Sequence, residues 1–263
     1  MITTDLSGRT AVITGGLFGI GRATSLLLAR QGAKVFIGDF QHGDERALPF
    51  DDPAIQARPC DVRREAEIAA LIDDAVQETG RLDILVNNAG IGLVKQITEI
   101  TEQEWDDVVG TNVKGMFFGC KHAIKHMQQS GGGSIVNVSS NAGLLPRAHD
   151  PLYSVSKQAV TGLTKSLALC HGRDAIRINA VCPGPVGQTR MVEDDLDASP
   201  DRDALAAAMI RASPIAQASG RMIVPDEIAQ AILYLVSDAA LMVTGTSIAI
   251  DGGKSLGVPP QVE

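Results

Sequence analysis

Short apolar, β-branched runs alternate along this chain with stretches of helical spacing. Residues 10 to 14 (Thr-Ala-Val-Ile-Thr) read as a strand that stops at glycines, and residues 20 to 30 as a helix. A second strand follows from Lys34 to Asp39. Residues 41 to 54 hold Gly43, Pro49, Pro53 and many charges, which predicts a loop or a broken short helix. Ala54 to Cys60 is a third strand. Arg63 to Thr79 carries apolar residues at Ala66, Ile68, Ala69, Leu71, Ile72, Ala75 and Val76, a helical pattern, and Leu82 to Val86 is a buried strand. A long helix is expected over Glu102 to Met127, a fifth strand over Ser134 to Ser140, and a helix from Pro151 to Cys170. The strand Ile176 to Cys182 is then broken by Pro183-Gly184-Pro185-Val186. Residues 187 to 222 are loosely periodic, with one short helix over Asp201 to Arg211, and suit a substrate lid. Pro225 to Val236 is amphipathic, Thr246 to Ile250 is the last strand, and the tail after Leu256 is peripheral. This alternation predicts an α/β fold: one domain over residues 1–263, with a doubly wound parallel sheet of about seven strands and helices on both faces.

Composition narrows the classes. Hydrophobic residues are 44% and charged residues 21% of the 263, values of a soluble globular chain, so disordered and fibrous classes are excluded. Aromatic residues are only 3%, the net charge is -8, and no Lys/Arg run occurs, so neither nucleic acid nor an anionic membrane is an expected partner. No stretch approaches a membrane span and no cleavable leader is recognisable, which points to the cytoplasm. Cys60, Cys120, Cys170 and Cys182 lack CxxC spacing and read as buried thiols. His122 and His126 lie four apart without a third ligand nearby, so packing or surface histidines are expected and no metal.

Three stretches carry chemistry. Thr14-Gly15-Gly16-Leu17-Phe18-Gly19-Ile20-Gly21 has the spacing G-x-x-x-G-x-G between a strand and a helix, where backbone N–H groups and the helix dipole favour a pyrophosphate. Asp39 ends the next strand, placed to accept hydrogen bonds from both hydroxyls of an adenosine ribose. A 2'-phosphate there would meet a like charge, and Leu17 and Phe40 supply no cation, which favours NAD over NADP. Tyr153 and Lys157 sit four apart after Pro151, on one helix face, and a nearby ammonium favours the phenolate. Ser139 and Ser140 end the fifth strand on opposite sides, so one of them faces the cleft. Asn112 is a misfit in a helix and implies a tertiary contact.

Together these residues resemble the short-chain dehydrogenase/reductase family: Thr14 to Gly21, Asp61-Val62, Asn87 to Gly90, Asn112, Ser140, Tyr153 with Lys157, and Pro183-Gly184, all in order. The resemblance implies a Rossmann-like fold and an oxidoreductase that moves hydride between a secondary alcohol or ketone and NAD. It also selects Ser140 as the substrate-binding serine and places Asn112 in the active site beside Tyr153, the general acid-base group, and Lys157. The cofactor is implied to lie along the glycine turn (Gly15, Leu17, Phe18, Gly19, Ile20, Gly21), Asp39 and Phe40, Asp61 and Val62, Asn88, Ala89 and Gly90, then Tyr153, Lys157, Pro183, Gly184, Val186 and Thr189. One departure stands out: Gly187-Gln188 separates Val186 from Thr189, one residue more than the family pattern. The substrate, a small alcohol or carbonyl compound, is expected against Ser140, Arg147, His149, Tyr153 and Met191, with Leu93, Val94 and Leu145 nearby. A homotetramer or homodimer is implied. An NADP-dependent carbonyl reductase and a non-catalytic dinucleotide-binding regulator are the rival readings.

Overall fold

The computed structural model describes residues 4–41 and 50–257. Among them the strands are β1 (Thr10–Thr14), β2 (Lys34–Asp39), β3 (Ile55–Pro59), β4 (Ile84–Asn87), β5 (Gly133–Val138), β6 (Ile176–Pro183) and β7 (Ser247–Ile250). They form one parallel sheet in the order β3-β2-β1-β4-β5-β6-β7. The strand order reverses between β1 and β4, which opens a crevice at the carboxyl ends of these strands. The helices are α1 (Gly19–Arg30), α2 (Glu65–Thr79), α3 (Glu102–Val109), α4 (Met116–Ser130), α5 (Pro151–His171), α6 (Arg190–Ala198), α7 (Arg202–Arg211), α8 (Pro214–Ser219) and α9 (Pro225–Val236).

Each face of the sheet has its own core. Ile13, Val35, Ile37 and Val136 pack with Leu28 of α1 and Ile228 and Ile232 of α9. Val12, Phe36, Leu85 and Ile135 point the other way, against Ile68 and Ile72 of α2, Ala123 and Met127 of α4 and Val160 of α5. Burial on both faces is why the strands read as unbroken apolar runs. Each such Ile, Leu or Phe side chain contributes about 1.5–3 kcal/mol on leaving water.

Several expectations need correction. The long helix over 102 to 127 is two helices joined through a π-type turn, Gly110–Gly115, that holds Asn112. Residues 187 to 222 contain α6, α7 and α8 where one short helix was expected. Cys170 is exposed on the outer face of α5, whereas Cys60, Cys120 and Cys182 are buried. His122 and His126 pack toward α2, with Nε2 atoms 3.0 Å from a Glu65 carboxylate oxygen and 2.7 Å from one of Asp73. Of the loop expected over 41 to 54, residues 42–49 lie outside the described residues, as do 258–263 of the tail. No described helix is long and apolar enough to cross a membrane.

Candidate active site

The first part of the site is the glycine turn. After Thr14 the chain passes through Gly15 (φ +67) and Gly19 (φ +50) into α1. A side chain on Gly21 would overlap the Gly15 carbonyl oxygen, so only glycine lets α1 start so close to the strand end. The N-cap residue Phe18 makes no side-chain capping bond, which leaves first-turn N–H groups for a ligand. Asn88 braces the turn: its amide donates to the carbonyls of Thr14 at 3.1 Å and Gly15 at 2.7 Å. Thr14 Oγ1 in turn accepts the N–H groups of Asn88 and Ala89 at 3.1 and 3.2 Å. The Asn88 side chain is therefore committed to the protein.

Asp39 is buried, and its carboxylate accepts the N–H of Leu17 at 3.1 Å and that of Gln41 at 2.9 Å. It is thereby fixed against the glycine turn. Phe40 projects outward, with its ring centre 5.4 Å from the Arg63 guanidinium carbon. That guanidinium grips Asp61 through Nε and Nη2 and reaches Asp107 at 2.8 Å through Nη1. Hydrogen bonding to Arg63 holds the Asp61 carboxyl below its ordinary range, while Val62 is buried beside it. Arg63 was not anticipated, although a cation two residues beyond Asp61 is visible in the sequence.

At the far side of the crevice, Gly184 donates its N–H to Ile250 at 3.0 Å. The extra residue after Val186 is absorbed at Gln188, whose φ is +59. Thr189 Oγ1 donates to the Val186 carbonyl at 2.7 Å, and its methyl lies 3.0 Å from where a Cβ on Gly19 would sit. Thr189 thus reaches the glycine turn despite the longer spacing. Met191, at the start of α6, has Cγ 3.3 Å from the Cβ position of Gly92, on the loop after β4.

The second part centres on α5, whose first turn Pro151 opens. Tyr153 and Lys157 stand one turn apart and are 7% and 4% exposed. Lys157 Nζ donates to the Val138 carbonyl at 3.0 Å and lies 5.7 Å from the Tyr153 ring centre. Ser139 turns away and donates to the Lys157 carbonyl at 3.0 Å, whereas Ser140 lies on the phenol side, its Oγ donating to Asn141 Oδ1 at 3.2 Å and accepting the Ala142 N–H at 3.2 Å. The Asn112 amide donates to the Ile91 carbonyl at 2.9 Å and to Ser156 Oγ at 3.0 Å, and its oxygen accepts the Ile91 N–H at 2.9 Å. A Cβ on Gly90 would lie 3.2 Å from Asn112 Oδ1 and 3.3 Å from Lys157 Nζ, so these three residues meet.

Electrostatics depart from the expectation that Lys157 lowers the phenol pKa. Burial pushes Tyr153 above its ordinary value of 10.0, with the Ser140 hydrogen bond and the Arg147 charge acting against that rise. Burial also brings Lys157 down to about 8. The Arg147 guanidinium carbon lies 5.9 Å from the Tyr153 ring centre, and Nη2 is 3.1 Å from the buried carboxylate of Asp150. His149 is exposed on the same loop. Asp150 was missed in the sequence, where its place immediately before Pro151 is the only signal. No cluster of three His, Cys, Asp or Glu side chains suited to a metal occurs among the described residues.

A crevice built for a dinucleotide, with a phenol and an ammonium at its end, defines a nicotinamide-dependent oxidoreductase. The family profile described as enoyl-(acyl carrier protein) reductase matches residues 15–255. The chain is 41% identical to cis-4-hydroxycyclohexanecarboxylate dehydrogenase of Sinomonas cyclohexanicum, over 93% of this chain and 96% of that one. It is 37% identical to a 3-oxoacyl-(acyl-carrier-protein) reductase of Thermotoga maritima, over 94% and 98% of the two chains. The ligand-free aldohexose dehydrogenase of Thermoplasma acidophilum superimposes with a TM-score of 0.89 at 31% identity, over 99% of both chains. The protein belongs to the short-chain dehydrogenase/reductase family, whose members bind NAD or NADP and whose dehydrogenases act on alcohols.

Proposed function

We propose that this protein is an NAD-dependent dehydrogenase that interconverts a secondary alcohol and a ketone. The observation that carries this reading is the meeting of Ser140, Tyr153, Lys157 and Asn112 beside the glycine turn. A regulator that only binds a dinucleotide has no use for all four. The first turn of α1, which has no side-chain cap, and the Asp39 carboxylate fixed beside it fit a dinucleotide. Bound there, NAD supplies the hydride acceptor. Gly19, Ile20 and Gly21 hold the pyrophosphate, Asp39 the adenosine ribose, Phe40 and Val62 the adenine, and the backbone of Ala89 and Gly90 the ribose edge. Pro183, Gly184, Val186 and Thr189 border the nicotinamide end.

Tyr153 takes the alcohol proton at its phenol oxygen and returns it in the reverse direction. Ser140 hydrogen-bonds the substrate oxygen, Lys157 orients the ribose and the phenol, and Asn112 holds the Ile91 backbone in place and orders a proton-carrying water. Asp39 supports NAD over NADP, because its carboxylate is fixed where a 2'-phosphate would lie. A hydroxycyclohexanecarboxylate and an aldohexose in the names of similar proteins support a CH–OH substrate. Arg147, His149 and Met191 are the side chains assigned to its recognition, under a lid formed by residues 187–222 of this single domain.

We assign a homotetramer in the cytoplasm, supported by Phe117, Val155 and Leu169 exposed on the outer faces of α4 and α5, and by four free cysteines. Titrations with NADH and NADPH, followed by turnover of an alcohol panel, test the reading. Tighter NADPH binding overturns the cofactor assignment, and full turnover by Tyr153→Phe overturns the catalytic one.

A further inference from the structure

Two cations flank Tyr153 at nearly equal distance, Lys157 at 5.7 Å and Arg147 at 5.9 Å from the ring centre. They differ in kind. Lys157 is sealed in, bound to the Val138 carbonyl, and with a pKa of about 8 it sheds its proton before a phenol raised above 10 can ionise. A guanidinium stays charged throughout the range in which proteins are folded. Arg147 is also held in place, since Asp150, 2% exposed, pairs with it at 3.1 Å and accepts a hydrogen bond from Ser154 Oγ at 3.1 Å. Beyond that ion pair the Arg147 side chain is 38% exposed.

We propose that Arg147 and Asp150 act as a charge pair on Tyr153, the guanidinium stabilising the phenolate and the carboxylate limiting that stabilisation. Arg147 is then a positioning residue for the acid-base step. The inference rests on the reading of Tyr153 as the proton-transferring group. The groups facing the phenol are Ser140 from the end of β5, Lys157 one turn along α5, Arg147 and Asp150 from the intervening loop, and Asp195 from α6. His149 and Lys254 act on Asp150, and Lys254 is within reach of Arg147. Opposite signs within one pair give the proposal a signature that general damage to the fold does not imitate.

The chain has two tyrosines, Tyr153 and Tyr234, the latter partly exposed on α9. In a Tyr234→Phe protein carrying 13C at tyrosine Cζ, one resonance reports the Tyr153 phenol from pH 7 to 11, without substrate or turnover. Asp150→Asn is expected to lower its midpoint and Arg147→Met to raise it, each by about half to one pH unit. Arg147→Lys keeps part of the lowering, because the charge remains and the planar fork is lost. Shifts of the same sign in Asp150→Asn and Arg147→Met overturn the proposal, as does a phenol still protonated at pH 11 in Asp150→Asn. Should Asp150→Asn not fold, equal midpoints in Arg147→Lys and Arg147→Met overturn it instead. A chain that oxidises no alcohol would defeat the functional reading while leaving this titration intact, so the two failures are distinguishable.

Discussion

Tyr153 and Asp39 bear the two most specific assignments, and each is exposed to a single substitution. In Tyr153→Phe the ring remains and the phenol oxygen proposed to transfer the proton is gone. Turnover of an accepted alcohol is expected to fall about 100- to 10,000-fold with NADH affinity unchanged, as steady-state kinetics and a fluorescence titration would show. Asp39 offers a carboxylate already oriented by two backbone N–H groups. Asp39→Ala removes hydrogen bonds to a charged acceptor, so NADH binding weakens by about 10- to 100-fold, and NADPH gains relative to it. An unchanged NADH/NADPH ratio in calorimetric titrations would refute the assignment.

Among the elements, the π-type turn between α3 and α4 explains why an asparagine occupies what looked like a helix interior. The wider turn holds the Asn112 amide against the Ile91 backbone, and thereby shapes the loop that follows β4. Asn112→Ala leaves both Ile91 backbone groups without this partner, at a cost of about 1–3 kcal/mol in urea unfolding. The start of α1 is equally intolerant. Gly21→Ala would press a methyl onto the Gly15 carbonyl, so the turn must open, and measurable dinucleotide binding is expected to be lost.

For the molecule as a whole, the buried thiols define an alkaline limit. Burial raises Cys60 and Cys120 to about 12 and Cys182 to about 11 from an ordinary 9.0. Below pH 9 these thiols are protonated in both folded and unfolded chains, and their contribution is intact. Above it the unfolded chain sheds protons that the folded chain keeps, so stability falls as pH climbs toward the folded values. Tyr153, also raised, adds to the loss above pH 10. Lys157 and Lys254 are lowered by burial and work in the opposite direction up to their ordinary 10.5. The three thiols outweigh these two amines, so the urea midpoint is expected to drop between pH 9 and 11, and less steeply in Cys60→Ala. On the outer surface, Leu169 is 88% exposed on α5. Leu169→Glu is expected to shift the assigned tetramer to smaller species in light scattering.

Much was legible in the order of residues, because it follows from local geometry. Apolar runs buried on both faces announced the parallel strands, the spacing of Gly15, Gly19 and Gly21 announced the tight turn between β1 and α1, and four positions along a helix placed Tyr153 beside Lys157. Asp39 was readable for the same reason, as the last residue of a strand. What packing decided lies between elements distant in sequence. Ser139 and Ser140 are equivalent by strand alternation until α5 lies across them, when the Lys157 carbonyl claims Ser139 and Ser140 is left on the side of the Tyr153 phenol. The Asn88 amide is taken up by the carbonyls of Thr14, at the end of β1, and Gly15, in the turn that follows. The longer spacing after Val186 forbids nothing once Gln188 adopts a positive φ. The charge on the phenol depends on which cations burial leaves protonated, and burial is a property of the assembled layers.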